Sequence, residues 1–267
     1  MTALHTRSGA TSIASALSTR IGAKVPIVGV VFWAVKLLTT GMGEAISDYL
    51  AGVSIVVAGG LGLIGLVIML GLQIAAREYR AWRYWGTVAM VAVFGTMAAD
   101  GVHKILGVPY TLTTILYLVA VIGILLVWKL VEGSVSIHTI TTRRRELFYW
   151  ATVLATFALG TAAGDMAAFA LGLGYFASIL LFAALMIVPL VAWRLRWMGE
   201  VAAFWTAYVL TRPLGASIAD WLGKPPTKGG GIGWGDDIVS LGALALFLIA
   251  ALWLTMTRRD APEPRAA

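Results

Sequence analysis

From Val25 to Thr255 the chain alternates long apolar runs with short interruptions of charge, Gly or Pro. The runs fall near 25–48, 53–75, 84–104, 110–130, 147–170, 175–193, 201–222 and 237–256. Each approaches the roughly 20 apolar residues that a helix needs to cross a bilayer. In lipid, backbone groups must be satisfied inside helices or in a closed barrel, and these runs are too long and continuous for barrel strands. The pattern predicts an all-α transmembrane protein: a single eight-helix domain over 25–256, with polar tails at 1–24 and 257–267.

The runs are internally repetitive. FWAVKLLTTGMGEAISD, YWGTVAMVAVFGTMAAD, YWATVLATFALGTAAGD and FWTAYVLTRPLGASIAD align without gaps. They share an aromatic residue, then Trp33, Trp85, Trp150 or Trp205, then Gly43, Gly95, Gly160 or Gly215, then Asp48, Asp100, Asp165 or Asp220. A period of this kind is read before any motif, because it sets the architecture. Each copy, at about 25–80, 81–130, 146–196 and 201–256, holds a motif helix and a plainer one. Two spans return the chain to the side it started from, so the copies are parallel rather than inverted. A bundle of four parallel two-helix repeats follows.

Composition agrees with lipid as solvent: 60% of residues are hydrophobic, 12% are charged, and the mean hydropathy is +0.87. Cysteine is absent, which excludes disulfides, thiolate metal sites and Cys nucleophiles. The net charge of +7 is unevenly placed. Fifteen Lys and Arg residues, from Arg7 to Arg265, fall on one side of the predicted spans, against Lys104, Lys224 and Lys228 on the other; Lys36 and Arg212 lie within spans. The positive-inside rule makes both termini cytoplasmic and explains the basic clusters without nucleic acid. The 221–237 connection, rich in Pro and Gly, reads as an exposed, mobile loop or a lid.

The segments KVPIVGVVFWAVKLLTTGMGEAISD, RRELFYWATVLATFALGTAAGD and FWTAYVLTRPLGASIADWLGKPP resemble a bacterial family of uncharacterised multi-span membrane-anchored proteins. The resemblance runs over most of 24–256. It implies a bacterial inner-membrane location and a repeat architecture, and it implies no particular activity.

Function has to be read from the motif residues. The aromatic pairs suit the headgroup belt and the glycines suit close helix packing. The aspartates sit 15 residues after each Trp, about 22 Å along a helix, where an ionisable group is costly unless it has a use. If the motif helices surround one axis, Asp48, Asp100, Asp165 and Asp220 can form a carboxylate cluster for a proton or a hard divalent cation. The alternative is structural, with each Asp capping a turn or bonding to the next repeat. Only the first copy contains Lys36 and Glu44, and only the fourth contains Arg212 and Pro213. A pairing of Lys36 or Arg212 with Glu44 reads as a static bridge, a gate or a counter-charge. His103, near Asp100, is an outer-mouth candidate for proton exchange or an exposed interfacial residue.

No Ser-His-Asp set, HExxH motif or phosphate-binding Gly loop is present, so no enzyme activity and no cofactor are expected. The leading expectation is a transporter or exchanger that handles a cation through Asp48, Asp100, Asp165, Asp220, Glu44 and Lys36, with Arg212 and His103 as gating or charge-pairing groups. The competing expectation is a non-transporting structural or regulatory membrane protein. The lipid bilayer is the expected partner in both.

Overall fold

In the computed structural model, residues 23–262 are described. They form eight long helices and no β-strand. These are α1 (Val30–Val53), α2 (Ile55–Ala75), α3 (Ala81–Asp100), α4 (Tyr110–Glu132), α5 (Arg143–Asp165), α6 (Gly174–Arg194), α7 (Glu200–Gly223) and α8 (Asp236–Thr257). Seven are long and apolar enough to cross a membrane. The pattern predicts eight. The exception is α7, whose apolar run is diluted by Arg212, Pro213 and Asp220.

The four motif helices α1, α3, α5 and α7 form a closed ring, each packed on two ring neighbours. The plain helices lie outside it. Each packs chiefly on the motif helix of the next copy, α2 on α3, α4 on α5 and α6 on α7, and α8 closes the circle on α1. The predicted two-helix hairpin is therefore a unit of sequence more than of contact. Burial follows this division. In α1, α3 and α5, 56–61% of the most apolar window is buried, against 11–28% in the four outer helices.

The motif glycines make the ring close. The residue three before each Gly presses onto the Gly of the preceding motif helix: Ala92 on Gly43, Phe157 on Gly95, Arg212 on Gly160 and Thr40 on Gly215. A Cβ at any of the four would overlap its visitor, so small size here is a packing requirement.

The aromatic pairs do not form a lipid belt. They plug one end of the ring, because each Phe or Tyr reaches the Trp of the next motif helix. Ring centroids lie 5.6 Å apart for Phe32 and Trp85, 5.6 Å for Tyr84 and Trp150, 6.1 Å for Tyr149 and Trp205, and 5.8 Å for Phe204 and Trp33. The hydroxyls of Tyr84 and Tyr149 share a buried hydrogen bond of 2.5 Å. A cyclic arrangement satisfies each ring with its neighbour, which an interfacial belt would leave half exposed.

Three further departures concern the ends. The first helix starts at Val30 rather than near 25, because Val25–Gly29 is non-helical around Pro26. Lys24, expected in a tail, is buried. It pairs with the Glu146 carboxylate and donates to the carbonyls of Gln73, Ile74 and Ala76 at the end of α2. Burial holds its amine below the ordinary value, with Glu146 opposing. Residues 1–22 and 263–267 of the expected tails, His5 among them, lie outside the described residues.

Asp260, also expected in a tail, is buried against the plug. It accepts from Trp85 Nε1 at 2.8 Å and from the Tyr79 hydroxyl, and its carbonyl accepts from Ile27 N at 2.9 Å. The two ends of the described chain therefore meet beneath the plug. The 221–237 loop is exposed over 225–228 and 232–234, in line with the expected exposed loop, and hydrogen bonds tie it to the helix ends. Ile232, Trp234 and Gly235 donate to the carbonyls of Trp221, Leu222 and Gly223, and Gly229 accepts from Tyr175 N.

Candidate functional site

The motif Asp comes five residues after the packing Gly, so the contact that closes the ring also sets the height of the carboxylates. Asp100 and Asp165 end their α-helical segments, and each is followed by a π-helical turn, Gly101–Ile105 and Met166–Ala170. Turns of this type occur often at functional sites, because the extra residue re-aims the side chains around it.

All four aspartates line one cavity of about 170 Å³ at the end of the ring opposite the aromatic plug. Glu44, Tyr110, Phe169, Tyr175, Lys224 and Lys228 complete its wall. Glu44, Asp48 and Asp220 each bring a carboxylate oxygen within 4.8 Å of the others. That spacing fits oxygen ligands placed 2.0–2.6 Å from one hard cation. Five carboxylates against two ammonium groups leave the wall acidic.

Lys224 answers part of this charge. It lies just past α7, and its Nζ is 2.7 Å from Asp48 Oδ2 and 2.7 Å from Asp236 Oδ2 in the first turn of α8. Burial alone would lower its amine, but Asp48, Asp220 and Asp236 outweigh burial and hold it above the ordinary lysine value.

At the cavity floor, Glu44 pairs with Arg212 of the neighbouring ring helix α7, 2.6 Å apart and buried. Arg212 also donates to Thr161 Oγ1 at 2.8 Å, to the carbonyl of Thr40 at 2.9 Å, and to Thr96 Oγ1. Glu44, Thr96 and Thr161 each follow the motif Gly by one residue; Ala216 occupies that place in the fourth copy. Three ring helices thus supply acceptors at one level, and the guanidinium of the fourth spans them. Removing one partner of such a pair costs about 3–5 kcal/mol, because the other is left as an uncompensated buried charge.

Lys36 does not reach Glu44. Its Nζ lies 4.1 Å from the ring centroid of Phe157 and 4.3 Å from that of Tyr208, nearer the plug, and it is not in the cavity wall. Two ring faces offset about 2 kcal/mol each at best, against a desolvation cost of several kcal/mol for an ammonium. His103 is also outside the wall. It stacks on Tyr110 at 3.5 Å and shares a 2.6 Å hydrogen bond with the Val108 carbonyl, so it holds a wall residue in place.

Of the residues singled out by sequence, the cavity gathers Asp48, Asp100, Asp165, Asp220 and Glu44, with Arg212 directly behind. Sequence reasoning missed Thr96 and Thr161, although the column one place after the motif Gly contains both. It also missed Tyr110 and Tyr175, although each stands ten residues after its motif Asp in the second and third copies, and Lys224 and Asp236, which belong to the fourth copy's outer connection and have no counterpart in the others. A larger apolar pocket, about 410 Å³, lies beside the plug between Trp33, Trp193 and Trp205. It holds none of this charge.

Residues 83–134, 148–196 and 203–260, together more than half the chain, each match the model of a family described as Repeat of Unknown Function (DUF347). The matched segments correspond to the second, third and fourth copies. Comparison with curated proteins and with solved structures finds no match.

Proposed function

The chain belongs to this repeat family, and from that premise we propose that it is an eight-span protein of the bacterial inner membrane that binds a cation in the carboxylate cavity and exchanges or transports it. The ligand class is a proton or a hard divalent metal ion. One observation carries the reading: four aspartates from four separate helices, with Glu44, face a single cavity.

The membrane placement draws support from seven long apolar helices and from the shelter that the ring gives to α7. The concentration of basic residues at the plug end supports a cytoplasmic plug end and an external cavity. Both termini are then inside. Passage of a cation requires Arg212 and Glu44 to part and the plug to open, so this arrangement is an outward-facing one.

The test is reconstitution in proteoliposomes with Mn²⁺, Mg²⁺ or a pH gradient as the probe. Asp48→Asn, Asp100→Asn, Asp165→Asn and Asp220→Asn should each lose flux while remaining monodisperse in detergent. Normal flux in all four overturns the reading. The Lys224 tie to Asp48 and Asp236 favours a second reading, in which the carboxylates only anchor the outer loop. On that account Asp48→Asn lowers stability and no variant alters ion binding.

A further inference from the structure

Lys36 is nearly fully buried, and its amine nitrogen finds no hydrogen-bond partner among the described residues. Phe157 and Tyr208 present their ring faces to it, and the Arg212 guanidinium lies 5.3 Å from the centroid of the same Phe157 ring. The equivalent places on α3 and α5 hold the buried valines Val88 and Val153. Toward the cavity the ring carries Arg212 and Glu44 and then Asp48, Asp100, Asp165 and Asp220. Toward the plug it carries Tyr208, Tyr149 and Tyr84, with Arg83, Glu146 and Glu200 among the charged residues of the first helical turns. Of the outer helices packed on α1, α2 has no ionisable residue and α8 has only Asp236 and Asp237 in its first turn. Among the described residues no carboxylate is within ion-pair distance of this amine, and a second cation, Arg212, stands beyond one ring.

We propose that Lys36 is the proton-carrying partner of the cation site, protonated when the cavity holds no cation and releasing its proton when one enters. The inference rests on the cation reading above and names the proton as the ion exchanged. Lys36 lies eight residues from Glu44, about 12 Å along the helix axis. At that range, through an interior of low dielectric, a cation arriving at Glu44, Asp48 and Asp220 repels an ammonium that only ring faces stabilise. The N–H bond breaks, the electron pair stays on Nζ, and the proton goes to solution. By linkage, a proton on Lys36 weakens cation binding by the same factor.

Calorimetric titration of Mn²⁺ into the detergent-purified full chain, in two buffers of different ionisation heat, counts the protons released per ion. Wild-type protein should release more protons per bound ion than Lys36→Met. Lys36→Met should bind more tightly at acid pH and show a flatter pH profile. Lys36→Arg, charged throughout, should bind more weakly at every pH. Equal proton counts in wild type and Lys36→Met, with both binding, overturn the proposal and leave the cavity reading intact. A wild-type chain that binds neither Mn²⁺ nor Mg²⁺ overturns this proposal and the divalent-ion form of the cavity reading. If Lys36→Met aggregates, Lys36→Gln replaces it; if both aggregate, a wild-type chain that binds Mn²⁺ without releasing a proton overturns the proposal.

Discussion

The same four helices end in two opposite ways. At one end Phe32, Tyr84, Tyr149 and Phe204 each pack on a Trp of the next helix and fill the ring. At the other, four aspartates surround a cavity and cannot satisfy one another. Repetition is harmless where like side chains attract and costly where they repel, since neighbouring carboxylates resist simultaneous ionisation. The plug therefore keeps its fourfold form almost intact. The acidic end departs from symmetry, through Glu44 in the first copy, Arg212 in the fourth, and Lys224 from beyond the ring.

The largest effect should come from the layer that separates the two ends. Arg212→Met leaves Glu44 buried without its partner and should cost about 3–5 kcal/mol, read as loss of monodispersity or a lower unfolding temperature in detergent. Adding Glu44→Gln should restore most of that loss. An Arg212→Met protein as stable as wild type would show that the pair does not bind the ring together.

Next comes the seam that both ends share. Gly95→Val would drive a side chain into Phe157 and should cost about 1–3 kcal/mol, whereas Gly123→Val, with open space around it, should be close to neutral. Equal effects would remove the packing role assigned to the motif glycines.

The two ends then separate by readout. Tyr149→Phe deletes the hydroxyl pair with Tyr84 and should cost about 1 kcal/mol of stability with ion binding unchanged. Asp165→Asn should do the reverse, weakening Mn²⁺ binding by about tenfold, or about 1.4 kcal/mol, with little change in unfolding temperature. If both variants move both quantities, the ends are not functionally distinct.

The smallest effect concerns Lys224. Its amine is held above the ordinary value in the folded protein, so the stability it contributes is complete below the unfolded value of about 10.4. It fades as pH rises through the higher folded value. Lys224→Gln should remove this alkaline loss, visible in unfolding temperatures measured above pH 10. An unchanged alkaline profile would show that the contact with Asp48 and Asp236 adds no stability.

Much of the architecture was legible in one dimension. The apolar runs mark the helices, and the gapless spacing of Trp, Gly and Asp places four equivalent residues at each level of any parallel ring. Lys36, Glu44 and Arg212 stand out because charge inside an apolar run is costly. The partners themselves were not legible, because contact between helices depends on rotation and neighbour order, which periodicity within a helix leaves open. The spacing of the aromatic pairs does not separate a belt from a plug, because an amphipathic ring near a helix end has the same spacing whether it faces lipid or the bundle axis.

The sequence by itself determined the helical class, the fourfold repeat and the level of each motif residue along its helix, since these depend on local hydrophobicity and a rise of about 1.5 Å per residue. Only the tertiary structure decided that the plain helices pack on the following copy, that Arg212 rather than Lys36 meets Glu44, and that Lys24, Asp260 and the outer loop are built in. The reason is physical: those contacts join residues from distant parts of the chain, and their geometry follows from how the ring closes.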